Sequence, residues 1–170
     1  EIIFEKRNSD SKEFPLPDKC PVCGSGLERP EGEANIYCTN YFCPAQIQGR
    51  IIHFTGRDAM DIQGLGESII EIFLREGYLK NIADIYELRK HRKELTELER
   101  FGEKSIDNLL QSIESSKEKP FEKVLFALGI RHIGERTARI IAKNFTGIDK
   151  LSAASAEEIS SVHEIGPKIA

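Results

Sequence analysis

The chain has 170 residues, 39% of them hydrophobic and 31% charged, with a formal net charge of -4. That length suits one medium domain or two small ones. No apolar run approaches the roughly 20 residues a membrane helix needs, and the net acidity argues against binding nucleic acid by bulk positive charge, while leaving local geometry open. The opening residues, EIIFEKRNSD, lack the apolar core and cleavage site of a signal peptide. The chain begins without Met and stops at GPKIA, inside a pattern with helical character, so a piece of a longer protein is expected.

In chain order, EIIF reads as the end of a strand and NSDSKEFPLPD as a polar, proline-bearing connection. Next come the four cysteines, all between positions 20 and 43. Cys20 and Cys23 are two residues apart in CPVCG, Cys38 and Cys43 four apart in CTNYFCP, and no cysteine occurs in the 127 residues beyond. Disulfide staples, an iron–sulfur cluster and a zinc site compete for this pattern. Nothing indicates secretion, and a two-residue gap lets two thiolates converge on one ion. Gly24 lets the chain turn back so that backbone N–H groups face the sulfurs. A closed tetrahedral site for Zn2+, with Cys20, Cys23, Cys38 and Cys43 as ligands, is the favoured reading. With no open coordination position it would be structural and would not activate water. His53 lies ten residues beyond Cys43; because four sulfurs fill the site, it reads as a packed or capping residue near a helix start.

From residue 51 the chain reads as helical. SIIEIFLREG places apolar residues at 69, 70, 72, 73 and 74 and stops at Gly77. KSIDNLLQSIESSKEKP spaces Ile106, Leu109, Leu110 and Ile113 on one face and ends at Pro120. FEKVLFALG offers Phe121, Val124, Leu125 and Leu128. TARIIAKNF offers Ile140, Ile141 and Phe145. SAEEISSV begins with Ser155 and Glu158 at capping-box spacing. No strand-period segment follows residue 60. The expected fold is mainly α, a small four-cysteine zinc module followed by an all-α repeat domain.

Self-comparison exposes a repeat. IQGLGESII (62–70), LERFGEKSI (98–106), IRHIGERTA (130–138) and VHEIGPKIA (162–170) each carry an apolar residue, two variable residues, a second apolar residue and a glycine. The glycines are Gly66, Gly102, Gly134 and Gly166, at separations of 36, 32 and 32. A helix, a tight glycine-bearing hairpin and a second helix fit a unit of this length. Glycine tolerates φ > 0 and close backbone approach. The second helix starts at once, so its free N–H groups and positive dipole end form an anion site. Lys104, Arg136 and Lys168 sit two residues past their glycines and can add charge to a phosphate held there. Packing alone, as in solenoids, is the competing use of such a repeat.

Charge ranks the copies. Residues 121–147 carry Lys123, Arg131, Arg136, Arg139 and Lys143 against Glu122 and Glu135, whereas residues 61–76 carry four carboxylates against Arg75. The third hairpin is therefore the better expected phosphate binder, and binding is expected mainly through the second and third hairpins, with pockets at Phe101-Gly102 and Ile133-Gly134. The first, with its Gly64-Leu65-Gly66 turn, serves more in packing. In the fourth, Glu164 opposes a phosphate.

CPVC…CTNYFCPAQ, RIIHFTGRDAMDIQGLGE, GYLKNIADIYEL and ALGIRHIGERTA together resemble the zinc-finger and helix-hairpin-helix region of bacterial NAD-dependent DNA ligases, over nearly the whole chain from Cys20. The resemblance implies that residues 1–19 end an oligonucleotide-binding domain and its linker. It makes residues 20–50 the zinc finger and residues 51–170 a helix-hairpin-helix domain of four hairpins, the last cut short. It implies a cytoplasmic, monomeric bacterial protein with no membrane partner, whose full enzyme uses NAD to seal nicks in duplex DNA. DNA contacts carry over to Gly64, Leu65, Gly66, Phe101, Gly102, Lys104, Arg131, Ile133, Gly134, Arg136, Gly166 and Lys168. The family's adenylated lysine motif, Lys-x-Asp-Gly, is absent, so no catalytic residue is assigned and this chain alone is expected neither to bind NAD nor to ligate. Three copies also replace the first hairpin glycine, by Arg100, His132 and Glu164. The rival reading is the DNA-binding region of a repair nuclease or junction-processing protein.

Overall fold

A computed structural model of the protein describes residues 15–99 and 101–170. The strand expected at EIIF, most of the first linker and Arg100 lie outside those residues. The chain divides into two compact units, one ending at Pro44 and the other running from Ala45 to Ala170.

The first unit is built from turns. β1 (Leu27–Glu28) and β2 (Tyr37–Cys38) pair antiparallel, with Leu27 opposite Cys38. Lys19 bridges to Gly26, and Leu27 N–H donates to Asp18 C=O at 3.0 Å, so the module's hydrogen bonding begins just before the first cysteine. Its only buried residues, among those described, are Cys20 and Cys43.

The second unit is helical, as its periodicity predicts. Its elements are α1 (Pro44–Thr55, whose first residue closes the other unit), α2 (Glu67–Arg75), a 3₁₀ stretch (Ile82–His91), α3 (Arg92–Glu97), α4 (Glu103–Ser116), α5 (Phe121–Ala127), α6 (Glu135–Asn144), α7 (Ile148–Ala153) and α8 (Ala156–Ser160). Ile106, Leu109, Leu110 and Ile113 are all buried along α4, the face their spacing defines. The capping box at α8 forms: Glu158 N–H donates to Ser155 Oγ at 3.2 Å, and Ser155 N–H donates to Glu158 Oε2 at 2.7 Å. A second capping arrangement opens the 3₁₀ stretch. Ala83 N–H donates to Asn81 Oδ1 at 2.8 Å, and Asn81 N–H donates to Asp84 Oδ2 at 3.1 Å.

Two apolar clusters form. The larger joins α1, α2, the 3₁₀ stretch, α3 and α4 around Ile51, Ile70, Phe73, Ile85 and Ile106. Phe73 is fully buried, with the Phe101 ring centroid 5.5 Å away. The smaller cluster gathers Leu125, Ala138, Ile141 and Ile165. α5 belongs to both, through Ala127 in the first, Leu125 in the second and Phe126 against each. That double use breaks the single apolar stripe expected of α5: Leu128 is 39% exposed, while Ala127 is buried. Across α3 and α4, Arg92 grips Asp107 with two hydrogen bonds of 2.7 and 2.9 Å, and that guanidinium holds the Asp107 carboxyl below its usual range. No helix among the described residues is long and apolar enough to cross a membrane.

Candidate metal centre and nucleic-acid interface

The four sulfurs lie within 4.8 Å of one another. Cys20 Sγ and Cys43 Sγ are 3.9 Å apart, and Cys23 Sγ and Cys38 Sγ 3.5 Å. Those separations are too long for disulfides, which require about 2.05 Å, and all four thiols are free. Tetrahedral thiolates about 2.3 Å from one ion sit roughly 3.8 Å from each other, so the cluster fits Zn2+. Gly24 takes φ +71 in a turn closed on main chain, its N–H donating to Cys20 C=O at 2.9 Å and Cys20 N–H to Ser25 C=O at 2.7 Å, and the turn brings the Ser25 backbone N–H onto the Cys23 sulfur. Hydrogen bonds from Ser25 lower the Cys23 thiol to about 6. At Cys38 the Asn40 backbone N–H favours the thiolate, but burial and the bond to Cys23 outweigh it and push the thiol up to about 12.

The second, third and fourth hairpins share one turn bond. Phe101 N–H donates to Leu98 C=O at 3.1 Å, Ile133 to Ile130 at 3.0 Å and Ile165 to Val162 at 2.9 Å. The two apolar residues of the signature are therefore the ends of a tight turn, which explains their fixed spacing. The residue before the second apolar position is left-handed in each copy where it is described: Gly64 at φ +85, His132 at +67 and Glu164 at +72.

This corrects one sequence inference. The glycine common to the copies was expected to relieve a positive φ, but Gly66, Gly102 and Gly134 sit at φ -79, -100 and -80 in extended N-cap conformations open to any residue. A Cβ at these glycines, or at Gly166, would meet nothing within 4 Å. The turn does not need this glycine; its missing side chain instead leaves the helix start uncovered. The bonds onto its carbonyl come from Ile70 N–H at 2.9 Å in the first copy, Ile106 at 3.1 Å in the second, Ala138 at 2.9 Å in the third and Ala170 at 3.1 Å in the fourth. In α4 and α6 the amides just ahead of those residues have no carbonyl one turn back within their helix and point out of its start. In the first copy Ile69 N–H also bonds to Gly66 C=O at 3.0 Å, and in the fourth Ile169 N–H bonds to Gly166 C=O at 2.9 Å, with a turn rather than a helix following and Pro167 offering no N–H.

The structure separates the twelve hairpin residues by role. Leu65 is buried in the core and Phe101 nearly so, and Ile133 packs on the second cluster. Through these three only main chain is presented outward. Lys104 and Arg136 occupy the second position of α4 and α6, on the exposed surface. Lys168 follows Gly166 at the start of the last turn. Arg131 lies on the exposed turn of the third hairpin and is engaged with other groups.

Charge around the third hairpin is held in pairs. Lys123 Nζ lies 3.0 Å from Glu135 Oε1, and its ammonium holds the Glu135 carboxyl below the usual range. Arg139 reaches Glu122 at 3.8 Å and Glu135 at 3.4 Å. Arg136 pairs with Glu164. Sequence reasoning set Glu164 against a phosphate of its own hairpin; the structure turns it onto the cation of the neighbouring one. No local sequence signal carries that contact, because the two residues meet only when hairpins three and four pack. Arg136 is nonetheless 79% exposed, so a stronger anion can reach it. His53, expected near a helix start, stands instead in the last turn of α1, where its Nε2 lies 2.8 Å from Phe126 C=O.

A turn-built four-cysteine module joined to paired helix-hairpin-helix units defines a zinc-finger protein of the helix-hairpin-helix class. Comparison with known families resolves the class further. Residues 19–45 match the NAD-dependent DNA ligase C4 zinc finger domain, residues 56–115 a SAM-like helix-hairpin-helix tandem, and residues 123–170 the helix-hairpin-helix motif. The chain is 48% identical to a DNA ligase of Acetivibrio thermocellus over 170 residues, which is 100% of this chain and 26% of the relative. It is 50% identical to one of Bacillus licheniformis over 169 residues, 99% of this chain and 25% of the relative. A DNA ligase of Symbiobacterium thermophilum matches at 45% identity over the same shares. The chain belongs to the NAD-dependent DNA ligase family, as its zinc-finger and helix-hairpin-helix region, and spans about a quarter of the length of these relatives.

Proposed function

We propose that this chain is the noncatalytic DNA-binding part of an NAD-dependent DNA ligase that seals nicks in duplex DNA, and that its hairpins hold the phosphate backbone without reading sequence. The observation that carries the reading is the row of uncovered helix starts behind Gly66, Gly102 and Gly134, each with empty space where a side chain would stand. Such a start binds an oxyanion through main-chain N–H groups and the helix dipole. Lys104 and Arg136 add a side-chain cation beside two of them. Contacts of this kind position a duplex and carry no base information. They also reconcile DNA binding with a net charge of -4.

The role of each residue follows from that geometry. Gly64, Leu65, Phe101 and Ile133 shape the turns, and Gly66, Gly102, Gly134 and Gly166 leave main chain uncovered. Lys104, Arg131, Arg136 and Lys168 supply charge. Cys20, Cys23, Cys38 and Cys43 would hold structural Zn2+, which supplies cross-linking to a module without an apolar core. The full-length enzyme would use NAD; this chain, lacking Lys-x-Asp-Gly, would not bind it and would be inactive alone. The protein acts in the bacterial cytoplasm as a monomer on nicked DNA, under this reading.

The test is fluorescence anisotropy on nicked duplexes of two unrelated sequences over a salt series. Each engaged phosphate contributes about 0.9 to the slope of log K against log salt. Arg136→Ala is expected to weaken both duplexes alike and reduce that slope by about one. Binding equal to the parent's, or a wide difference between the two sequences, would refute the proposal.

A further inference from the structure

The two apolar clusters of the helical unit meet through a narrow joint. The first four helices and the 3₁₀ stretch pack on one another, and α5 and α6 pack on one another; α5 alone contributes to both clusters. At the meeting point His53, from the last turn of α1, stands 73 residues away in sequence from its partner Phe126. Its Nε2 lies 2.8 Å from Phe126 C=O, and the two rings meet edge to face with centroids 4.9 Å apart. A carbonyl oxygen only accepts, so Nε2 carries the proton and donates. On the far side Gly129 takes φ +64, and a Cβ there would stand 3.3 Å from His53 Cδ2. Gly129 immediately precedes Ile130, whose carbonyl closes the third hairpin turn. One further tie crosses nearby: Lys123 Nζ donates to Asp58 C=O at 2.8 Å.

We propose that His53 is a positioning residue for DNA binding: its bond to Phe126 C=O and its contact with Gly129 fix the third hairpin relative to the first two, so that their phosphate sites engage one duplex together. Three features serve that role. The donor is directed at the Phe126 carbonyl, four residues before Ile130, where the hairpin turn opens. The edge-to-face contact restricts rotation of the Phe126 ring that both clusters share. Gly129 is the residue that lets the chain turn away at +64 without striking the imidazole. The ring lies outside the cysteine cluster and makes no contact with the helix starts, so it acts through the hairpin it holds.

The inference rests on the backbone-grip reading above, and the experiment separates the two. Affinity and salt slope on a nicked duplex are measured for the parent, His53→Leu, His53→Gln, Gly129→Ala and each combined with Arg136→Ala, with far-UV circular dichroism as the check of fold. His53→Leu keeps an apolar side chain and loses the donor. It is expected to bind about fivefold more weakly, as loss of one hydrogen bond implies. Its salt slope is expected to fall by about 0.9 or more as the third hairpin's phosphate is released. In that background Arg136→Ala should add nothing. His53→Gln, whose amide keeps a donor, should recover most of the loss. Gly129→Ala strains the same contact from the other side and should reproduce the smaller slope. Parent-like affinity and slope in His53→Leu, or an undiminished Arg136→Ala effect within it, would overturn the joint. Loss of fold in His53→Leu leaves Gly129→Ala to decide, and loss of fold in both overturns a positioning role. If Arg136→Ala has no effect in the parent, the backbone-grip reading itself fails.

Discussion

The two compact units of this chain are held together by different means. Up to Pro44, no described residue is buried except two cysteines, and the regular structure amounts to two strands of two residues each. Beyond it, Ile51, Ile70, Phe73, Ile85, Leu88, Leu95 and Ile106 are all fully buried in one apolar cluster. A segment of that first size buries too little apolar surface to offset chain entropy and needs a cross-link. The helical unit does not. The difference separates what metal does from what hydrophobic burial does, and it can be broken from either side.

The largest effect is expected from the metal side. Zinc in finger peptides contributes on the order of 10–16 kcal/mol. Cys23→Ser, or a strong chelator, should abolish hydrogen-exchange protection around Cys20–Cys43 while the helices keep theirs. Native mass spectrometry should find one zinc per chain in the parent. Thiolates rather than thiols bind the ion, so zinc loading should weaken as pH falls and recover as it rises. Parallel loss of protection in both units would show that they do not stand on separate supports.

The reverse experiment is smaller. Phe73 is fully buried against Phe101 and Tyr78, with centroids at 5.5 and 6.0 Å. Phe73→Ala should destabilise the helical unit by about 3–5 kcal/mol, lowering its Tm by roughly 12–20 °C, and leave zinc stoichiometry at one. Thermal denaturation followed by circular dichroism, with metal analysis of the same sample, checks both parts. Loss of zinc in the folded variant would contradict the division.

Much of this was legible in the sequence, for physical reasons. The cysteine spacing encodes convergence because four thiolates must reach one ion. The helices α2, α4, α5 and α6 announce themselves through apolar spacing, and α8 through Ser155 and Glu158. The hairpins appear because the same turn is written four times. The 3₁₀ stretch was harder: its opening signal, Asn81 with Asp84, is an Asx variant of the capping box, and its buried residues Ile85 and Leu88 are too few to establish a period. Three features depend on tertiary packing and left no local trace. The left-handed positions at His132 and Glu164 are not glycines, so composition hides them. The Arg136–Glu164 pair and the His53–Phe126 contact each join residues on separate elements. The glycine signal itself was read correctly in place and incompletely in cause: a repeated turn geometry and an uncovered helix start both leave the same letter, and only the φ of -80 at Gly134 tells them apart.

That distinction leads to the measurement closest to the central claim. Gly134→Val puts a branched side chain over the helix start without asking the backbone for a forbidden conformation. Valine is a poorer N-cap than glycine, so stability should fall by no more than about 1 kcal/mol, or roughly 4 °C in Tm. Affinity for nicked duplex should fall by more than about tenfold, alike on unrelated sequences, since the bulk stands where a phosphate oxygen would approach. Paired thermal denaturation and anisotropy on this one variant decide the matter. A stable protein that no longer binds is the predicted result; a stable protein that binds like the parent would contradict the assignment of the third hairpin's helix start as a phosphate site.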